Sequence, residues 1–192
     1  MVVAAFFMRA WWCAQRNEDH FSLDSAIRPP ELSELLRLAR GRRSVVELGT
    51  GTAWSTIALA LAERGRHVVS YDPHARPERD AYLARAWPSV QARIEFREEP
   101  DSNGPRPGEM VDFLFIDSSH DRASVARAFT AWREALDLDA VVAFHDYDHP
   151  SYPGVREAIE ELGLEGVVRG SLFVWRAPPL PSGGHSDGAN AR

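Results

Sequence analysis

The apolar positions of this chain alternate between two rhythms. HVVSYD (67–72) and RIEF (93–96) read as strands of mixed character, while the runs at 44–48 (SVVEL), 111–117 (VDFLFID) and 140–146 (AVVAFHD) are mostly apolar. That is the pattern of strands buried on both faces. Between them, apolar residues recur at intervals of three and four. In DRASVARAFTAWREAL (121–136) they are Val125, Ala128, Phe129, Trp132 and Leu136; in PGVREAIEEL (153–162) they are Val155, Ala158, Ile159 and Leu162. Both predict amphipathic helices. STIALALAE (55–63) reads as another helix, stopped at Arg64-Gly65, and a further one is expected around 77–87. VVR (167–169) and SLFVW (171–175) read as two last strands, the final one a candidate for antiparallel pairing. Strands alternating with helices at this spacing predict an α/β fold, with an open, mostly parallel sheet wound on both faces.

Upstream, PPELSELLRLARG predicts a helix opened by proline, ending near Gly41, with Leu32, Leu35, Leu36 and Leu38 apolar. NEDHFSLDS (17–25) reads as a polar loop, and EEPDSNGPRPGE (98–109) as a surface loop. The first residues, MVVAAFFMRAWWCAQ, have no basic stretch ahead of the apolar run, and Arg9 interrupts it. They fit neither a signal peptide nor a membrane span. A helix packed on the domain, or a lid or homodimer contact through Phe6, Phe7, Trp11 and Trp12, is expected instead. The division is then a helical segment at 1–42, a ligand-binding domain at 43–176 and a flexible tail at 177–192.

Composition narrows this picture modestly. A chain of 192 residues, 44% hydrophobic and 26% charged, is one globular domain. A net charge of −6 counts against a nucleic-acid partner. The one cysteine, Cys13, excludes an intrachain disulfide and a four-cysteine zinc site, and reads as a small buried hydrophobe. A cytoplasmic location without a membrane partner is the expectation.

Ligands of such sheets bind beyond the carboxyl ends of the strands. Those ends supply Glu47, Asp72, Asp117, His145 and Asp146. A strand running into Gly49 and Gly51, then into a helix near Ser55, outlines a nucleoside or phosphate site. The dinucleotide fingerprint GxGxxG fails here, because Trp54 occupies the third glycine's place. Glu47 facing the ligand would also repel a pyrophosphate. A ligand with a sulfonium, an ammonium and a ribose suits an acidic mouth better, and S-adenosylmethionine has all three. Asp72 can take both ribose hydroxyls, as an equivalent acid does for NAD. Ser55 is open between capping the helix and touching the ligand.

VVELGTGTAWST resembles motif I of the class I S-adenosylmethionine-dependent methyltransferases. FIDSSHDRASVARAFTAW, followed by VVAFHDYDHPSYPGVREAI, is similar to bacterial small-molecule methyltransferases grouped near the macrocin and catechol O-methyltransferases. The resemblance covers about residues 43–162. It implies a Rossmann-like, seven-stranded sheet with a reversed terminal hairpin, and O-methyl transfer to a small hydroxylated acceptor. By the same resemblance the motif-I acid and glycines fall on Glu47, Gly49 and Gly51, and the ribose acid on Asp72. Ala53, where glycine is common, is a mild departure. A metal-binding acid falls on Asp117, also expected beside the cofactor, and a base on His120.

Methyl transfer to oxygen needs an aligned nucleophile that loses its proton. His120, just past a strand end, is the candidate base, with a helix-capping role as its bland alternative. Asp117 and Asp146 end neighbouring strands and can converge on Mg2+ or Mn2+, with His145 as a third ligand and Asp148 as a spare oxygen. Without a metal, His145 and Asp146 would orient substrate. Trp11, Trp12, Trp54 and Tyr147 are open between lining an acceptor pocket and core or surface roles. Two other functions stand beside the lead: an NAD-dependent oxidoreductase and a non-catalytic S-adenosylmethionine-binding protein.

Overall fold

The computed structural model describes residues 2–178; most of the expected tail lies outside the described residues. Its centre is one seven-stranded sheet, ordered β3-β2-β1-β4-β5-β7-β6. The strands are β1 (Ser44–Leu48), β2 (His67–Tyr71), β3 (Ile94–Arg97), β4 (Val111–Ile116), β5 (Leu136–Phe144), β6 (Val167–Arg169) and β7 (Leu172–Arg176). The first five pair in parallel, and β7 inserts antiparallel between β5 and β6. This is the doubly wound, Rossmann-like architecture expected.

Side chains alternate across the sheet with period two, so each apolar strand feeds two cores at once. Val45, Phe113, Phe115, Val141 and Ala143 face one layer; Val46, Leu114, Ile116, Val142 and Phe144 face the other. The second layer is covered by α7 (Arg122–Trp132) and α8 (Pro153–Glu161), through Val125, Phe129, Trp132, Val155 and Ile159. The first is covered by α4 (Trp54–Ala62), on which α1 (Val2–Arg16) and α3 (Pro29–Leu38) pack through Phe6, Ala10, Leu32 and Leu35. No described helix is long and apolar enough to cross a membrane.

Three expectations about local structure change. The polar stretch at 17–25 contains a helix, α2 (His20–Ser25), whose N-cap Asp19 accepts the Ser22 N–H at 3.0 Å. The helix around 77–87 is two short ones, α5 (Glu78–Leu83) and α6 (Pro88–Gln91), the second opened by its proline. Residues 133–135 form a 3-10 turn, and Leu136, expected in the helix, opens β5. The buried Arg66 guanidinium donates to the carbonyls of Ala39, Arg42 and Leu59, satisfying helix-end acceptors of α3 and α4.

The strands β1, β2, β4 and β5 end nearly level, and the ladder runs one residue beyond them. Gly49 N–H donates to Tyr71 O at 2.8 Å, Asp117 N–H to Leu48 O at 2.8 Å, and His145 N–H to Ile116 O at 2.9 Å. The residues at the top of the sheet are therefore fixed by sheet hydrogen bonds.

Candidate functional site

A cavity of about 770 Å³ opens at this carboxyl edge, where the chain order reverses between β1 and β4. Gly49, Gly51, Ser55, Asp72, Asp117, His120, His145 and Asp146 all line it. Residues 24–28 and Glu31, from the N-terminal segment, form the opposite wall.

The glycine turn is shaped as much by its neighbours as by any ligand. Gly49 has φ +101°, and a Cβ there would sit 2.1 Å from the Asp117 carbonyl oxygen. Only glycine admits that approach. Ala53 precedes α4 in the left-handed region, φ 67°, and offers no side-chain cap. Ser55 lies inside the helix, so the capping alternative is removed; it is at the cavity wall instead. Asp72 accepts the Gly51 N–H at 3.0 Å through Oδ2 and the His74 N–H at 2.9 Å through Oδ1. Each oxygen keeps a further lone pair for a ligand.

Glu47 is displaced from its expected place at the mouth. It is fully buried, behind the turn, and does not line the cavity. Its Oε2 accepts from Ser70 Oγ at 2.8 Å and from Thr56 Oγ1, while Oε1 has no hydrogen-bond partner among the described residues. Burial pushes its pKa up to about 7, against the hydrogen bonds of Ser55, Thr56 and Ser70. Trp54 does both things expected of it: its ring packs between Phe7 and Tyr82, at 5.1 and 5.2 Å, and the residue also lines the cavity.

At the other end, Asp117, His120 and Asp146 bring one donor atom each within 4.8 Å of one another. His120 Nε2 lies 3.0 Å from Asp146 Oδ2 but off the hydrogen-bond direction, leaving that nitrogen without a hydrogen-bond partner. Its ring stacks on Tyr152 with centroids 4.0 Å apart, and His149 stacks on Tyr152 at 4.5 Å. Asp146 holds a left-handed backbone, φ 55°, at the strand's end.

His145 is not in that donor group. It sits behind it, 9% exposed, with Nδ1 3.0 Å from Asp117 Oδ1 and 3.3 Å from Asp146 Oδ2. Burial works against its charged form, but Asp117, Asp146 and Glu31 outweigh it and push the pKa up to about 12. Its Nδ1 edge faces two carboxylates of the donor group, so the ring backs that group and is not a member of it. Burial likewise opposes the charge of Asp146, yet the two imidazoles hold its carboxyl below the usual range.

Other expected contacts lie elsewhere. Trp11 and Trp12 are exposed on α1, at 43% and 67%. Tyr147 stacks on Phe173 at 5.0 Å, and Asp148 pairs with Arg156. Neither pair lines the cavity. Residues that sequence reasoning missed take their place: Glu31, Tyr152, His149 and Phe21. Phe21 lies beside Gly51, with the Arg76 guanidinium 3.6 Å above its ring. A buried network ties this segment to the turn: Tyr82 OH donates to Asp19 at 2.6 Å, and Ser22 Oγ, bonded to Asp19, reaches Thr52 Oγ1 at 2.8 Å.

Residues 46–147 match a family described as a methyltransferase domain. No curated protein matches the chain in sequence. Among solved structures, the O-methyltransferase TomG of Streptomyces achromogenes, in complex with SAM, superposes with TM-score 0.67 at 22% identity, over 88% of this chain and 89% of that one. An O-methyltransferase of Bacillus cereus, in complex with SAH, gives 0.68 at 19% identity, over 90% and 91%. Cofactor-bound Rv0187 from MTB gives 0.66 at 22% identity, over 88% of each. These likenesses establish the shared fold, and the family match spans more than half the chain. The chain belongs to the methyltransferase domain family.

Proposed function

We propose that the protein transfers a methyl group from S-adenosylmethionine to a hydroxyl of a small molecule. The observation that carries this reading is one cavity joining a glycine turn and ribose-type acid to the His120 imidazole, which stands against Asp146 at 3.0 Å. The bound SAM and SAH named for the structural neighbours support the same ligand. The adenosine hydroxyls meet the free lone pairs of Asp72, and the methionine carboxylate meets the uncapped start of α4. His120 Nε2 takes the acceptor's hydroxyl proton as the oxygen attacks the methyl carbon. The carbon–sulfur bond would break in the same step, its electron pair passing to sulfur and leaving the neutral thioether of S-adenosylhomocysteine. Tyr152 fixes the plane of the His120 ring, so alignment precedes the reaction. The nicotinamide reading has no support beside the family assignment.

Two carboxylates and one imidazole form a donor set that fits Mg2+ less well than Mn2+. Asp117, His120 and Asp146 would hold such an ion, and bound there it would supply Lewis acidity toward the acceptor oxygen. His120 Nε2 cannot be both ligand and base. Activity that survives chelation identifies the base; activity abolished by chelator and restored by Mn2+ identifies the ligand.

Calorimetry with S-adenosylmethionine tests the whole reading. Binding is expected in the wild type, and Asp72→Ala should weaken it by about 1.5–3 kcal/mol, the worth of hydrogen bonds to a charged group. No binding with or without Mn2+ would remove the proposed function.

A further inference from the structure

Glu31 lies outside the family match, in the N-terminal segment, yet it lines the cavity and its side chain reaches His145. It is the third residue of α3, and its carboxylate caps that helix by accepting the Arg28 N–H at 3.0 Å. The same Oε2 stands 3.5 Å from His145 Nε2. On the other edge of the imidazole, Nδ1 faces Asp117 and Asp146. His145 is thus gripped from both sides by carboxylates, two from the sheet and one from the N-terminal segment.

Nε2 of His145 is buried, and the Glu31 carboxylate, at the limit of hydrogen-bond distance, is the acid that faces it. A buried N–H left with no acceptor is unfavourable, and a ring that can turn will turn to avoid it. If it turned, Asp117 would lose the Nδ1 contact, and so would Asp146, whose left-handed backbone needs its surroundings to hold it. Asp146 in turn stands beside His120. His145 holds Glu31 reciprocally, and the Glu31 carboxyl pKa falls to about 2.

We propose that Glu31 is a positioning residue of the methyl-transfer site, fixing Asp117 and Asp146 against His120 through the His145 ring. This rests on the methyltransferase reading above and adds to it that the N-terminal segment completes the reactive end of the cavity.

The test uses the full chain as wild type, Glu31→Ala, Glu31→Gln and Glu34→Ala, all in the complex with S-adenosylhomocysteine. Glutamine keeps an oxygen to receive the His145 N–H. Glu34 pairs with Arg37 on the same helix, so its loss controls for weakening α3 itself. The readout is the ring carbon–proton NMR signals of His120 and His145, with calorimetry of S-adenosylhomocysteine binding alongside. Glu31→Ala should shift and broaden the His120 signals although Glu31 does not touch that ring. Glu31→Gln should restore them largely, and Glu34→Ala should leave them in place, with calorimetry confirming that each variant is loaded. His120 signals at wild-type positions in Glu31→Ala, or moved equally by Glu34→Ala, would overturn the positioning role and leave Glu31 a helix cap. If wild type binds no S-adenosylhomocysteine, the methyltransferase reading itself fails, whereas failure of the ring signals alone leaves that reading intact.

Discussion

Glu47 is a carboxylate with no access to solvent, surrounded by three hydroxyl side chains. Burial raises its folded pKa to about 7 from the usual value of 4.5. Because the folded chain binds that proton more tightly than the unfolded one, the stability it lends is complete below the unfolded pKa. It is lost as pH rises through about 7. Denaturant unfolding of wild type and Glu47→Gln at several pH values isolates the effect, since other carboxylates cancel in the difference. Wild type should lose about 3 kcal/mol relative to the variant between about pH 4 and pH 8. The position of Asp72, Asp117 and Asp146 was legible because a residue just past a buried strand can only point out of the sheet's end. Glu47 was not, because it is still within the strand, and alternation turns its side chain to Thr56 and Ser70. That His145 backs the donor group while His120 joins it was not legible for a related reason: spacing locates a backbone, while the edge a ring presents depends on its acidic neighbours.

At the scale of elements, the site depends on how α8 docks. A Cβ on Gly154 would lie 2.6 Å from both His120 O and Arg122 N, so the start of α8 touches the loop carrying His120. Gly154→Ala should push α8 away and take Tyr152 with it. The expected result is a stability cost of about 1–3 kcal/mol, as for other overpacked sites, with methyl transfer lost more than cofactor affinity. Thermal unfolding, calorimetry and turnover measured on one preparation separate the three effects. The central strands β1, β4 and β5 were readable because both cores draw on them, while the edge strand β3 shows one apolar face, through Ile94 and Phe96. Helix α2 was unreadable for the opposite cause: six residues, mostly polar, held by an Asp19 cap and by Tyr82 from a distant element.

Across the whole molecule, the N-terminal segment packs on α4, binds the glycine turn through Ser22 and Thr52, and reaches His145 through Glu31. Sequence patterns suggested a separate helical segment, and no local signal announces a partner over a hundred residues away. Phe21, capped by Arg76, closes the space above Gly51. That covering gives the catalytic cycle a clock. With S-adenosylmethionine as the donor, the Phe21–Arg76 pair beside the turn should retard departure of S-adenosylhomocysteine and make it slower than the chemistry. Rapid-quench kinetics should then show a first turnover faster than the steady state, and Phe21→Ala should abolish that burst by letting the spent nucleoside escape.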